Sequence, residues 1–212
     1  MYLIDKRGGY LDRSDEAARS TSSRKHDVES EIRARVVSPT GAQLYTFNRC
    51  SARAVEFSVG DKLVVITTDP FIEQPSTIQV KRIARDPSDQ SGNSVLTIKG
   101  PHGRINRAVW GPLNKTIISA GEDAVIRIWD SETGQLLKES DKEGGQKAVT
   151  SLAKSIDWSH FLTGSLDKSA KVVMGGRKGF FEEIGGVKKA FGPINAIGFQ
   201  SLMAEASYFT RD

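Results

Sequence analysis

A repeat of about 44 residues constrains the fold more than any other feature of this sequence. Counting 44 positions on from Ile105 reaches Val149, and the same step carries SAGED at 119–123 onto TGSLD at 163–167. Each unit contains short runs of β-forming residues divided by turn-forming Gly, Asp, Asn and Ser. A period of this length with four strands is typical of a β-propeller blade, a sheet whose faces are buried only by neighbouring blades.

The middle of the chain predicts an all-β fold, because it carries regularly spaced strands and no long amphipathic helix. The segment GEDAVIRIWD at 121–130 is interpreted as the turn after a second strand, followed by the third strand of a blade. Strict alternation predicts that Arg127 points away from the blade. The predicted strands are 54–57, 62–68, 77–83, 94–100, 104–110, 115–121, 124–130 and 134–140.

Several phrases in order resemble the WD-repeat family, and more narrowly the i subunit of eukaryotic translation initiation factor 3, in particular its plant form. They are RINRAVWGPLN, TIISAGEDAVIRIWDSETGQLLKES, HFLTGSLDKSAK, EEIGGVK and FGPINAIGF. That family is also known as the transforming growth factor β receptor interacting protein. The resemblance implies a seven-bladed propeller that acts as a non-catalytic scaffold in the cytoplasm. It also implies docking on the b and g subunits of the factor, contact with the small ribosomal subunit through the complex, and support for recruitment of messenger RNA and initiator tRNA.

The sequence departs from this family pattern, and we expect a truncated chain with internal segments missing. Residues 1–45 are polar and predicted to be disordered or loosely helical, 46–200 to form incomplete blades, and 201–212 to be a tail without a family match. The third unit has Val173 and Met174 where Trp-Asp is expected. The expected fold is therefore a partial WD-repeat propeller with about two nearly complete blades, a third lacking its last strand, and fragments.

Four residues of the second blade match positions that form a structural hydrogen-bonded tetrad in WD repeats, namely His102, Ser119, Asp123 and Trp129. The same serine, histidine and aspartate are the residue types of a hydrolase triad. No nucleophile elbow or oxyanion-hole motif accompanies them. The structural role is preferred, and no catalytic, cofactor-binding or metal-binding residue is predicted.

Composition excludes several other classes of function. The chain has 30 Lys and Arg against 26 Asp and Glu, and this small excess is not clustered with aromatic residues, so no direct nucleic-acid binding is expected. One cysteine and three histidines offer neither an internal disulfide nor zinc-ligand spacing, and no cofactor is expected. The short apolar runs predict no membrane segment.

Two further hypotheses stay open from the sequence. The chain could act as a WD-repeat adaptor associated with a receptor kinase, or it could be a truncated product without an independent function. An incomplete ring leaves strand edges and inter-blade faces in water, so association through open blade edges is also expected.

Overall fold

The computed structural model describes a series of antiparallel sheets. The described residues are 3–5, 34–37, 43–47, 52–70, 75–100, 103–140, 147–155, 157–175, 181–187, 194–199 and 206–210. Among them, nothing helical reaches the length and apolarity required of a membrane-spanning segment.

Three four-stranded sheets form the centre of the chain, and each is an up-and-down meander in which consecutive strands pair. The first, called blade 1, contains β4 (Ala52–Phe57), β5 (Leu63–Thr68), β6 (Thr77–Arg82) and β7 (Leu96–Lys99). Blade 2 contains β8 (Ile105–Trp110), β9 (Thr116–Gly121), β10 (Arg127–Asp130) and β11 (Leu136–Glu139). Blade 3 contains β12 (Val149–Lys154), β13 (His160–Ser165), β14 (Ala170–Gly175) and β15 (Phe181–Val187).

These sheets confirm the all-β, partial propeller predicted from the sequence, and β10 is the third strand of blade 2 as expected. The prediction that the third unit lacks its last strand is wrong. Strand β15 pairs with β14 from Ala170↔Val187 to Gly175↔Phe181. Ladder pairing uses backbone groups, so Val173 and Met174 can join a blade without the Trp-Asp sequence that signals one.

The innermost strands repeat one irregularity at the same place. The ladder between the first and second strands shifts between Ala52 and Ala54 in blade 1, between Ile105 and Arg107 in blade 2, and between Val149 and Ser151 in blade 3. A bulge of this kind bends a strand and increases its twist. The shifts in blades 2 and 3 lie 44 residues apart, from Ile105 to Val149, so the sequence repeat is a structural repeat there, whereas blade 1 is longer.

Apolar side chains between successive sheets form the core. Between blades 1 and 2, Ile78 and Val80 pack with Trp110 and Ile117. Between blades 2 and 3, Val109 and Ile118 belong to the cluster that includes Leu152 and Phe161. Because both faces of each sheet are covered, the second strands are buried at five of their six positions rather than at alternate ones.

Shorter sheets flank the three blades. One contains β1 (Leu3–Asp5), β2 (Ala34–Val37) and β3 (Gln43–Phe47), and Val36 from it packs against Val64 and Ile66 of blade 1. The other contains β16 (Ile194–Phe199) and β17 (Ala206–Thr210), and Ile194 packs against Leu162 of blade 3.

The flanking strands change the expectation for the first 45 residues. Three short strands are described in this part of the chain: β2 pairs with β1 and with β3, and Val36 is buried. The remaining residues of 1–45 lie outside the described ones, and the domain boundaries stay predictions. The tail expected at 201–212 includes β17, which pairs with β16.

Candidate functional site

Two of the four tetrad residues meet inside blade 2. The indole N–H of Trp129 donates to the hydroxyl oxygen of Ser119 across neighbouring strands, with an Nε1–Oγ distance of 2.8 Å. Both side chains are buried, at 8% and 3% exposure. A buried indole N–H requires an acceptor, and Ser119 supplies it.

The third tetrad residue, Asp123, lies in the turn between β9 and β10. Its Oδ1 accepts from the backbone N–H of Val125 at 3.3 Å, and its Oδ2 accepts from a terminal nitrogen of Arg127 at 2.6 Å. The turn passes through Ala124, whose φ of 64° is left-handed. The carboxylate therefore holds the turn closed and neutralises a neighbouring cation.

The prediction that Arg127 points outward is wrong. Arg127 is 8% exposed and lies on the same face of β10 as Trp129, two residues further on. Its guanidinium contacts Asp123 at 2.6 Å and Glu139 at 3.3 Å. Because β10 is covered on both faces, its alternation does not separate an inside from an outside, and the arginine is buried with counter-charges.

The fourth tetrad residue, His102, lies outside the described residues, so the four-membered network stays a prediction.

The described geometry also bears on the hydrolase hypothesis. Ser119 is buried and already accepts a hydrogen bond from Trp129, while Asp123 is engaged by Arg127. A nucleophile must reach a substrate, and this hydroxyl is not positioned to do so.

We predict that Ser119 and Trp129 contribute to stability through one shared bond. Ser119→Ala leaves the indole N–H without its acceptor and should lower the free energy of unfolding by about 1–3 kcal/mol. Trp129→Phe should also destabilise, and the double variant should lose less than the two single losses added together. Urea titrations of the four chains measure this coupling. Additive losses would contradict it, and so would loss of a hydrolytic activity at unchanged stability in Ser119→Ala.

The turn of blade 3 repeats the backbone geometry of blade 2 with different partners. Asp167 Oδ1 accepts from the N–H of Ser169 at 2.8 Å, and Oδ2 accepts from the N–H of Lys147 at 3.2 Å. Lys168, like Ala124, has a left-handed φ, here 68°. Burial raises the pKa of the Asp167 carboxyl, but the hydrogen bonds from Ser169, Lys147 and Ser165 outweigh it and leave the pKa below its ordinary value.

The side chain of Lys154 links the inner strands of all three blades. Lys154 Nζ of blade 3 lies 2.7 Å from Glu56 Oε1 of blade 1 and donates to the carbonyl of Trp110 in blade 2 at 2.9 Å. The same ammonium lies 3.9 Å from the ring centroid of Trp158. No local pattern in the sequence marks Lys154, because charge alone does not indicate which strands will converge.

The loops joining first and second strands form one face, here called the loop face. Asn114 ties two of them together: its side-chain oxygen accepts from the N–H of Val59, and its amide donates to the Val59 carbonyl, both at 2.9 Å. Leu113 and Asn114 have left-handed φ values of 53° and 57°. Leu113 is 79% exposed and Val59 64%. Backbone strain and apolar exposure coincide here, and such sites are candidates for binding.

The opposite face carries mixed charge. Arg53 Nε contacts Asp69 at 2.6 Å, and Arg104 approaches Asp69 and Glu122 at 3.8 Å each. Acids and bases alternate, so this part of the surface offers no single-sign patch for an anionic polymer. Within the described part of the chain, no group of three or more His, Cys, Asp or Glu residues is arranged to hold a metal.

Comparison with known families matches residues 92–130 to the WD domain, G-beta repeat. This match runs from before β7 to the end of β10. It therefore includes the last strand of one blade and the first three strands of the next, with Ser119, Asp123 and Trp129.

Several curated relatives carry the name Eukaryotic translation initiation factor 3 subunit I. The Dictyostelium discoideum protein is 36% identical over 126 residues, which cover 58% of this chain and 36% of the relative. The Taeniopygia guttata protein is 26% identical over 214 residues, covering 76% of this chain and 65% of the relative. The matched part is about two fifths of the first relatives' length. Part of the chain is therefore similar to the WD domain, G-beta repeat, and to relatives named Eukaryotic translation initiation factor 3 subunit I.

Proposed function

We propose that the chain is a non-catalytic scaffold module of translation initiation that binds other subunits of initiation factor 3 in the cytoplasm. Within the complex it supports recruitment of messenger RNA and initiator tRNA to the small ribosomal subunit. The b and g subunits are its direct partners, and it contacts neither nucleic acid nor membrane itself. The similarity to relatives named subunit I is the observation that carries this proposal.

The described chemistry of blade 2 supports a scaffold rather than an enzyme. The hydroxyl of Ser119 and the carboxylate of Asp123 are engaged by Trp129 and Arg127, so they hold strands and a turn in place. Three packed blades keep loops in fixed positions, which is what a protein-binding surface requires.

Direct binding tests the proposal. The purified chain is titrated into a fluorescently labelled C-terminal segment of the b subunit, with bovine serum albumin as the protein control. We expect saturable binding with a Kd of about 1 µM or below, which corresponds to a binding free energy of about −8 kcal/mol or more favourable. No saturation at about 100 µM, while urea unfolding of the same preparation is cooperative, would exclude the proposed contact.

Surface variants then ask whether the loop face makes this contact. Leu113→Asp places a charge on the exposed leucine beside Val59, and we expect binding to weaken at least about 10-fold because an apolar anchor is lost. Leu166→Asp is the matched control, since Leu166 is also exposed, at 50%, and lies in the turn between β13 and β14, on the opposite face. Equal effects of both variants, or none, would place the contact elsewhere on the chain.

A further inference from the structure

Each flanking sheet contains a hairpin equivalent to one half of a blade, and the two hairpins correspond to different halves. Strand β16 has the register shift that marks the innermost strands, here between Ile194 and Ala196. The hydroxyl of Thr150 donates to the Ile194 carbonyl, as the Asn106 amide donates to the carbonyl of Val149 one blade earlier. The hairpin β16–β17 therefore supplies the first and second strands of a blade.

The hairpin β2–β3 matches the other half. The sequence from the end of β2 into β3 reads SPTGAQL at 38–44, and the turn between the third and fourth strands of blade 2 reads SETGQL at 131–136. In both hairpins the ladder shifts near the turn, between Val36 and Val37 and between Ile128 and Trp129.

Packing supports the same assignment. Val36 of β2 covers Val64 and Ile66, which belong to the second strand of the next blade. Third-strand residues Ile78 and Val80 cover Ile117, in the second strand of blade 2, in the same way. The hairpin β2–β3 therefore supplies the third and fourth strands of a blade.

From these halves we propose that two copies of this chain associate by completing each other's blades. Strand β17 of one copy pairs antiparallel with β2 of the second copy, giving a four-stranded sheet in the order β16, β17, β2, β3. Antiparallel pairing is the relation that second and third strands have in all three complete blades. The three-residue strand β1, which occupies that edge of β2, is displaced.

The blade count is consistent with a closed ring. The described residues of each chain contribute three complete sheets and, through the two halves, one shared blade, so two such chains give eight blades. Propellers contain about 4–8 blades. A head-to-tail contact forms a ring when its rotation closes, and closure here removes the open edge of β17 in both copies.

Crosslinking between separately labelled chains tests the pairing. In a Cys50→Ser background, one chain carries Ser207→Cys on β17 and the other carries Arg35→Cys on β2. A short bifunctional thiol reagent should link the mixed chains at least about 5-fold more efficiently than a control mixture in which Leu137→Cys on β11 replaces Arg35→Cys. Equal yields would overturn the proposal. So would a chain carrying both cysteines that crosslinks internally and stays monomeric.

Light scattering gives an independent readout on the unlabelled protein. We expect a mass of twice 23.2 kDa, and its return to that of a single chain in Tyr208→Pro, because proline removes a ladder donor from β17. Leu137→Pro, on the exposed strand β11, should remain dimeric. Tryptophan fluorescence confirms that both variants keep the blades folded. A wild-type chain that is monomeric at tens of micromolar would contradict the paired ring.

Discussion

Gly121→Ala is expected to destabilise the protein by about 3 kcal/mol or more, the largest loss from a single methyl group among the described glycines. A Cβ at Gly121 would lie 2.0 Å from the carbonyl oxygen of Arg104 and 3.0 Å from the Cα of Ile105. These are backbone atoms of the neighbouring chain segment, and the Arg104 oxygen also accepts from the N–H of Glu122. Relief of the clash would therefore require the first two strands of blade 2 to separate.

Gly92→Ala is the matched control, because an added Cβ there meets nothing within 4 Å. The control should leave the free energy of unfolding unchanged or raise it by up to about 1 kcal/mol, since alanine restricts the unfolded chain. Urea titration followed by fluorescence of Trp110 and Trp129 measures both variants. A loss below about 1 kcal/mol in Gly121→Ala would contradict the close pairing of β8 and β9.

The sequence predicted features that depend on neighbours along the chain. The eight strands between 54 and 140 and the turn at Asp123 follow from local alternation and turn composition, and all are present with small shifts of their ends. The period of 44 residues was equally readable, because Ile105 and Val149 begin equivalent strands with equivalent bulges.

Features that lack the family's sequence pattern, or that depend on partners distant in sequence, were missed. Strand β15 was missed because the preceding strand β14 has Val173 and Met174 in place of Trp-Asp, although β14 and β15 form a regular ladder. The hairpin β2–β3 follows a polar segment that masked its similarity to the turn at 131–136. Lys154 finds Glu56 almost one hundred positions earlier only because inner strands of three blades converge. Such side chains come into contact only in the folded protein, and no local sequence pattern predicts the contact.

The second large loss of stability is expected at Arg127, whose strand was predicted from the sequence but whose burial was not. Arg127→Met keeps an unbranched chain of similar length but removes the charge, so Asp123, with a side chain only 17% exposed, loses its partner at 2.6 Å. Breaking a buried ion pair by removing one partner costs about 3–5 kcal/mol, and we expect a loss of about 3 kcal/mol because Asp123 keeps some contact with water. Urea titration at neutral pH measures the loss.

Arg104→Met is the matched control, since the side chain of Arg104 is 50% exposed and its carboxylate contacts lie at 3.8 Å. Exposed pairs contribute about 0–1 kcal/mol, so this variant should change stability little. In the double variant Asp123→Asn with Arg127→Met, the neutral amide can still accept from the Val125 N–H, and part of the loss should be recovered. If Arg127→Met costs no more than Arg104→Met, the guanidinium lies in water as strand alternation alone had predicted, and the buried charge pair of blade 2 is excluded.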